Sequence, residues 1–353
     1  IAACEAGLSA VQDDPNSFDD EKTEARLHSE LGGIYGMRGD YARARTHFER
    51  SLALRTLVDD LPGMAASHNN LGYLWQLQSE YERAIAQYRV AEDIARKMNL
   101  RHFVIFAVGN MAYALMSLGQ YAEAEQRCTD VLAIATETRA QYNIAQSHDM
   151  LGLMTYYKGD VTAALEHYTQ ALQIHRETGN LHQEHMTNLN IAVVQNARGD
   201  FAAAAQLANQ SLEYARTAQA QRLEAEALNA LAEAAFGSGD STAAAAHAQA
   251  ALAIGEAIGS RHDCGLSHRL LALVAEGQGQ PFAASFETSI ALFEAIQARF
   301  ELARTWAYFG AALHRRGNKP RAAAYLKRAK DTFISIGANG ELQRLRSIAE
   351  RED

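Results

Sequence analysis

A column of histidines and a histidine-glutamate cluster are the first side chains in this 353-residue sequence that could do chemistry. His182-Gln183-Glu184-His185 resembles a zinc helix motif, in which imidazoles at i and i+4 grip the metal and a glutamate acts on its bound water. Here the imidazoles stand at i and i+3 and the glutamate adjoins the second, so metal ligation is not expected and a solvated segment between hairpins is. His28, His68, His148 and His268 share one column of a 40-residue spacing, which could serve a pH switch. Side chains one repeat apart stand roughly 10 Å or more from each other, too far to share an ion. A phosphate-cradling loop needs G-x-x-x-x-G-K-[ST], and no glycine here precedes Lys-Ser or Lys-Thr. Cys4, Cys128 and Cys264 fit neither a C-x-x-C site nor a disulfide framework. No catalytic residue, metal or cofactor is expected, and the chain reads as a binder rather than an enzyme.

Composition narrows the partners. With 33 Lys plus Arg against 42 Asp plus Glu, the chain lacks the basic footprint of a nucleic-acid binder. No run approaches 18 apolar residues, so no membrane span is expected. The unpaired cysteines point to a reducing, cytoplasmic setting, and the Arg- and Ala-rich usage to a bacterial source. Ile1-Ala2-Ala3-Cys4-Glu5 has no basic region leading into an apolar run, and no initiating Met precedes it. The expectation is a piece of a larger protein, with further domains upstream as its first partners.

The elements that would position any site follow from self-similarity. A short turn recurs at Gly39-Asp40, Ser79-Glu80, Gly119-Gln120, Gly159-Asp160, Gly199-Asp200, Gly239-Asp240, Gly279-Gln280 and, two residues early, Gly317-Asn318. An apolar-small pair precedes each turn, as in Leu31-Gly32, Leu71-Gly72, Leu151-Gly152 and Phe309-Gly310. An alanine follows each, at Ala44, Ala84, Ala124, Ala164, Ala204, Ala244, Ala284 and Ala322. Small residues at fixed offsets on two successive helices are what a close crossing requires; a larger side chain would cost about 1–3 kcal/mol in overpacking. Apolar positions such as Tyr41, Ala44, Phe48 and Leu52 keep the helical stripe of one buried face. Gly179, Gly259, Gly337 and Asn99 sit where left-handed caps would end helices.

With an aromatic one turn after the apolar-Gly pair (Tyr35, Trp75), Gly-Asp-Tyr at the turn and an aromatic beyond the alanine (Phe48, Tyr88, Tyr168), the chain resembles the tetratricopeptide repeat (TPR) family in its long, 40-residue form. The resemblance implies an all-α, right-handed α-solenoid of tandem helix-turn-helix hairpins. Residues 1–14 would be the second helix of a truncated repeat with Cys4 in the alanine column, 21–339 eight hairpins and 340–353 a capping helix, all one domain.

The same resemblance places ligand contacts on the first helix of each pair, the concave face. The corresponding residues are Asn69, Asn70, Tyr73, Phe106, Asn110, Tyr113, Gln146, Asp149, Met150, Tyr156, Met186, Asn190, Asn196 and Asn229, with the groove centred on Phe106 to Asn196. Asparagine is a poor helix former, so a ladder of it needs a reason. Carboxamides can pair with an extended peptide's backbone, while Tyr, Phe and Met add adaptable apolar area. Asparagine that merely bonds the neighbouring repeat is the alternative. The alanine-rich helices around Ala203–Ala205 and Ala243–Ala246 read as spacers.

Three functional readings remain. Leu292–Arg299, Glu301–Thr305 and Arg316-Gly317-Asn318 resemble the closing repeats of bacterial signal-transduction (STAND-type) ATPases and regulators. That resemblance implies a C-terminal sensor arm that binds an inducer, either a small molecule or a protein. The alternatives are a peptide-binding scaffold similar to LGN/Pins or kinesin light chain, and an intracellular receptor for a signalling peptide.

Overall fold

A computed structural model describes residues 20–37, 40–78 and 80–350, and the part assigned to a truncated first repeat lies outside them. Among the described residues there are seventeen helices and no strand. Three hairpins come first: α1 (Asp20–Met37) with α2 (Tyr41–Leu57), α3 (Leu61–Leu77) with α4 (Tyr81–Lys97), and α5 (Arg101–Ser117) with α6 (Tyr121–Glu137). Five follow: α7 (Gln141–Lys158) with α8 (Val161–Glu177), α9 (Leu181–Arg198) with α10 (Phe201–Thr217), α11 (Gln221–Gly237) with α12 (Ser241–Ile258), α13 (Arg261–Gly277) with α14 (Ala283–Ala295), and α15 (Arg299–Arg315) with α16 (Lys319–Ile336). A single helix, α17 (Asn339–Glu350), ends the chain. The architecture is an all-α solenoid of helical hairpins.

Three of the hairpins are built on one contact. An added Cβ at Gly32, Gly72 or Gly152 would sit 2.6, 2.5 or 2.7 Å from the ring of Phe48, Tyr88 or Tyr168, so glycine lets the second helix's aromatic lie on the first helix's backbone. The alanine column is fully buried against the same crossing at Ala44, Ala84, Ala124, Ala164, Ala204, Ala244 and Ala322; Ala284 is the exception, exposed on α14, where Phe286 is buried instead. Asp40, Asp160, Asp200 and Asp240 cap the second helices by accepting from the backbone N–H three residues on.

Successive hairpins join through one left-handed residue each. These are Asp59, Asn99, Arg139, Gly179, Gln219, Gly259, Gln297 and Gly337. Glycine or asparagine marks four of them in the sequence; the others carry side chains that disguise the same conformation. The two-residue shortfall late in the chain falls on α14, which spans 13 residues after Pro281 where its counterparts span 17 or 18.

The helices fall into two compact units, residues 1–117 with 122–139, and residues 118–121 with 140–353. The first holds the three leading hairpins. Its core includes Ala44, Phe48, Leu71 and Leu74, with Tyr35, Tyr41 and Leu52 against them. The second holds the five others and α17. Its core is alanine- and leucine-rich through α9–α12 and phenylalanine-rich through α13–α16, where Phe286 stacks on Phe309 at 4.9 Å.

Candidate functional site: the faces of the first helices

In the first unit the candidate residues lie on α3 and α5. Asn110 Nδ2 donates to Asn69 Oδ1 at 3.1 Å, so the amides of adjacent repeats are joined. That bond uses one donor and one acceptor and leaves the Asn69 nitrogen and the Asn110 oxygen at the outer ends of the pair. Asn69, Asn70 and Asn110 are half-buried. Around them Tyr73, Phe106 and Tyr113 are 47%, 41% and 45% exposed, unusual for aromatics on a face that packing could have covered. His102 meets Phe106 edge-on at 4.5 Å and steadies its ring. Gln76, one turn on, is turned by a hydrogen bond from the Tyr88 hydroxyl to its Oε1 at 3.0 Å. Between Leu61 and Leu77 the sequence has no Asp, Glu, Lys or Arg, and α5 has none after Arg101. This face is aromatic, amide-bearing and uncharged.

The second unit uses its candidate residues differently. Asp149 accepts from Thr187 Oγ1 at 2.7 Å and pairs with His175 Nε2 at 3.0 Å, tying α7, α8 and α9 together. Asn196 Nδ2 donates to the Ala230 carbonyl at 3.1 Å. Asn229 donates to the Asp263 carbonyl at 3.2 Å and accepts from Ser267 Oγ at 2.8 Å. Asn196 and Asn229 are buried, and each staples one hairpin to the next, the alternative role of such an amide. Met186 packs on the α9–α12 core. Met150 and Asn190 are half-buried and Gln146 is exposed. Tyr156 is 6% exposed, and its hydroxyl has no hydrogen-bond partner among the described residues. Burial pushes that hydroxyl's pKa up to about 12, against the pull of Arg304.

Tyr156 is covered by the end of its own unit. Phe300, at the start of α15, stacks on Tyr157 at 3.8 Å and meets Tyr156 edge-on at 6.3 Å. Arg304, 4% exposed, reaches Glu233 of α11 at 3.1 Å and Glu301 at 3.5 Å, with Glu341 of α17 at 3.9 Å. Arg269 clamps Glu301 from α13 at 2.5 Å. Burial opposes the Glu301 charge, but Arg269, then Arg304 and His262, outweigh it and hold its carboxyl down at about 2. On α17, Arg344 donates to the Ala197 carbonyl at 2.9 Å. Gly340 meets Gly159 so closely that a Cβ on either would lie 2.6 Å from the other's Cα. A crevice of about 360 Å³ remains beside this contact, lined by Tyr156, Val161, Glu341, Gln343 and Arg344. The last hairpin and α17 thus lie against α7, α9 and α11.

Sequence reasoning missed this clasp. Glu233, Arg269 and Arg304 come from hairpins that read as spacers or end pieces, and their partners lie up to 71 residues away in the chain. The histidine column is packed between helices, with partners 19 residues on: His28 with His47 at 2.8 Å, His68 with Gln87 at 2.8 Å and His148 with His167 at 3.0 Å. In the 182–185 cluster His182 is exposed, as a solvated segment would have it, while His185 stacks on Tyr214 at 4.4 Å and Glu184 pairs with Arg176 at 2.8 Å.

The repeat geometry agrees with a family model for the tetratricopeptide repeat, which matches residues 23–97, 104–177 and 143–217, more than half of the chain. The chain belongs to the tetratricopeptide-repeat family. Solved structures share its fold. The Rap conjugation gene regulator of plasmid pLS20, solved with a Phr peptide, has a TM-score of 0.65 at 14% identity, covering 92% of this chain and 97% of that one. A Rap protein complexed with Competence and Sporulation Factor has a TM-score of 0.59 at 11% identity, covering 94% and 99%. A signal-transduction ATPase with numerous domains and a TPR sensor, from Pyrococcus horikoshii, has 0.55 at 14%, covering 97% of this chain and 53% of that one. No curated protein matches the sequence. No helix among the described residues is long and apolar enough to cross a membrane.

Proposed function

We propose that this TPR protein is a non-catalytic peptide-binding module whose docking face is the α3–α5 surface of the first unit. The carrying observation is the contrast between the first-helix candidates of the two units. In the first unit Tyr73, Phe106 and Tyr113 stand 41–47% exposed around the Asn69–Asn110 pair. In the second unit Tyr156, Asn196 and Asn229 are consumed by the unit's own packing. An extended segment laid across α3 and α5 would exchange main-chain hydrogen bonds with the amides and cover the rings. Both Rap structures contain a bound peptide or signalling factor, which supports peptides as the ligand class.

The test is a display selection of random peptides on the full chain, followed by anisotropy titration of an enriched peptide. The proposal expects Tyr73→Ala with Phe106→Ala to weaken binding at least tenfold and Gln146→Ala with Asn190→Ala to change it less than twofold. The reverse order would place docking on the second unit. Failure to enrich any peptide would favour a small-molecule inducer and defeat the proposal.

A second reading, the sensor arm of a larger signalling ATPase or regulator, is favoured by the match to about half of the Pyrococcus ATPase. It requires an in-frame nucleotide-binding loop encoded upstream of Ile1. A reading frame with none would remove it while leaving the peptide-binding proposal untouched.

A further inference from the structure

Mid-helix glycines in this protein are filled by a ring or another side chain from a neighbouring helix at Gly32, Gly72, Gly152, Gly265 and Gly310. Gly109, in the middle of α5, is different: an added Cβ would meet nothing within 4 Å. Glycine is a costly residue inside a helix, because it gives up the most backbone freedom on folding, and here no neighbour needs the space.

The helical register says what the empty space faces. Phe106 and Tyr113 lie three residues before and four after Gly109, so all three share one face, with the aromatics about 10 Å apart along the axis. Their side chains are 41% and 45% exposed. The missing side chain between them makes a notch one residue wide. Asn110 stands beside it, bonded to Asn69, and Tyr73 is one turn on from Asn69 along α3. Gly33, in the same column as Tyr73 and Tyr113, also has nothing within 4 Å of an added Cβ, so α1 offers bare backbone at the other end of the face.

We infer that the Phe106–Gly109–Tyr113 notch is a specificity pocket for one large uncharged side chain, aliphatic or aromatic, of an extended peptide. This rests on the α3–α5 docking face. The charge pattern selects the occupant. Neither α3 nor α5 after Arg101 offers an ionised group that could pair with a charged side chain lowered into the notch. An apolar side chain of Leu, Met or Phe size loses nothing and covers two aromatic faces. The neighbouring amides would hold the peptide backbone on either side of it.

The test uses capped amino acids as probes on the full chain: N-acetyl amides of phenylalanine, leucine, alanine, lysine and glutamate, followed by saturation-transfer NMR. The phenylalanine and leucine probes should bind and the lysine and glutamate probes should not. Gly109→Leu should fill the notch and weaken the two apolar probes at least tenfold. Gly109→Ala, which meets no neighbour, should weaken them less and raise the melting temperature, showing that the position tolerates a side chain. Tyr73→Ala and Asn70→Ala report on the wider face. If those two variants reduce binding and Gly109→Leu does not, the docking face stands and the notch is wrong. If none of the three has an effect, both fall. Equal binding of all five probes overturns the side-chain selectivity.

Discussion

Asn110 Nδ2 donates to Asn69 Oδ1 across 3.1 Å, joining the first helices of the second and third hairpins at the centre of the uncharged aromatic face. Asn229, four repeats on in the column of Asn69, has a different task, holding the next hairpin's backbone, as Asn196 does from a position nearer the end of its helix. A double-mutant cycle on Asn69→Ala and Asn110→Ala, read by urea denaturation, should give a coupling of about 1 kcal/mol. Asn229→Ala should cost more, about 2 kcal/mol, because it removes two buried hydrogen bonds to α13.

The exposed rings should matter little for folding. Tyr73→Ser, Phe106→Ser and Tyr113→Ser are each expected to shift stability by no more than about 0.5–1 kcal/mol, since about half of each side chain is already in water. Burying a serine at Phe286 or Phe309 should cost several times as much. Denaturant midpoints of the five variants settle the ranking.

The clasp of the second unit makes a stronger prediction. Arg304→Met removes the buried partner of Glu233 and one of the two arginines holding Glu301, at a cost of about 3 kcal/mol. Gly340→Val should drive α17 away from Gly159. Hydrogen exchange should then rise at residues 156–161 and 339–345 while α9–α12 stay protected. In acid the clasp should loosen too. Glu301 has a folded pKa of about 2 against 4.5 when unfolded, so its contribution is full above pH 4.5 and lost as the pH falls toward 2.

The histidine pairs respond in a milder range. Each Nδ1–Nδ1 contact needs one N–H donor and one bare nitrogen, and a second proton would set two N–H groups against each other. Burial, then the partner imidazole, lowers the pKa of His28 and of His148 below 6.5. Stability is therefore full above pH 6.5 and falls as the pH drops from there toward the folded value, by up to about 1.4 kcal/mol per pH unit for each pair. His47→Gln and His167→Gln reproduce the His68–Gln87 contact and should flatten that slope. Melting temperatures between pH 7.5 and 5 read it directly.

The left-handed joints offer a simpler check. Gln219→Gly relieves a side-chain clash with the backbone and should stabilise by about 0.5–1 kcal/mol. Gly179→Ala, at the equivalent joint, should destabilise by about 1 kcal/mol although nothing lies within 4 Å of its added Cβ. Thermal unfolding of the pair of variants should move in opposite directions.

The hairpins were legible because their determinants are local. A glycine and the ring it accommodates, such as Gly72 and Tyr88, lie 16 residues apart and repeat in register. The aspartate caps and the glycine joints are local too. The clasp was hidden because Gly159 and Gly340 are 181 positions apart and nothing near either one names the other. The amide ladder was visible as composition, but whether a carboxamide faces a partner hairpin or an open face depends on what lies beside it. Asn229 and Asn69 look alike in sequence and differ only through Ser267 and Asp263.

Hydrogen exchange of the full chain with and without a display-selected peptide tests the docking assignment most directly. Peptide binding on the α3–α5 face predicts added protection in residues 66–77 and 102–117, with residues 146–157 and 186–196 unchanged. Protection confined to 146–157 and 186–196, with none on α3 or α5, would contradict it.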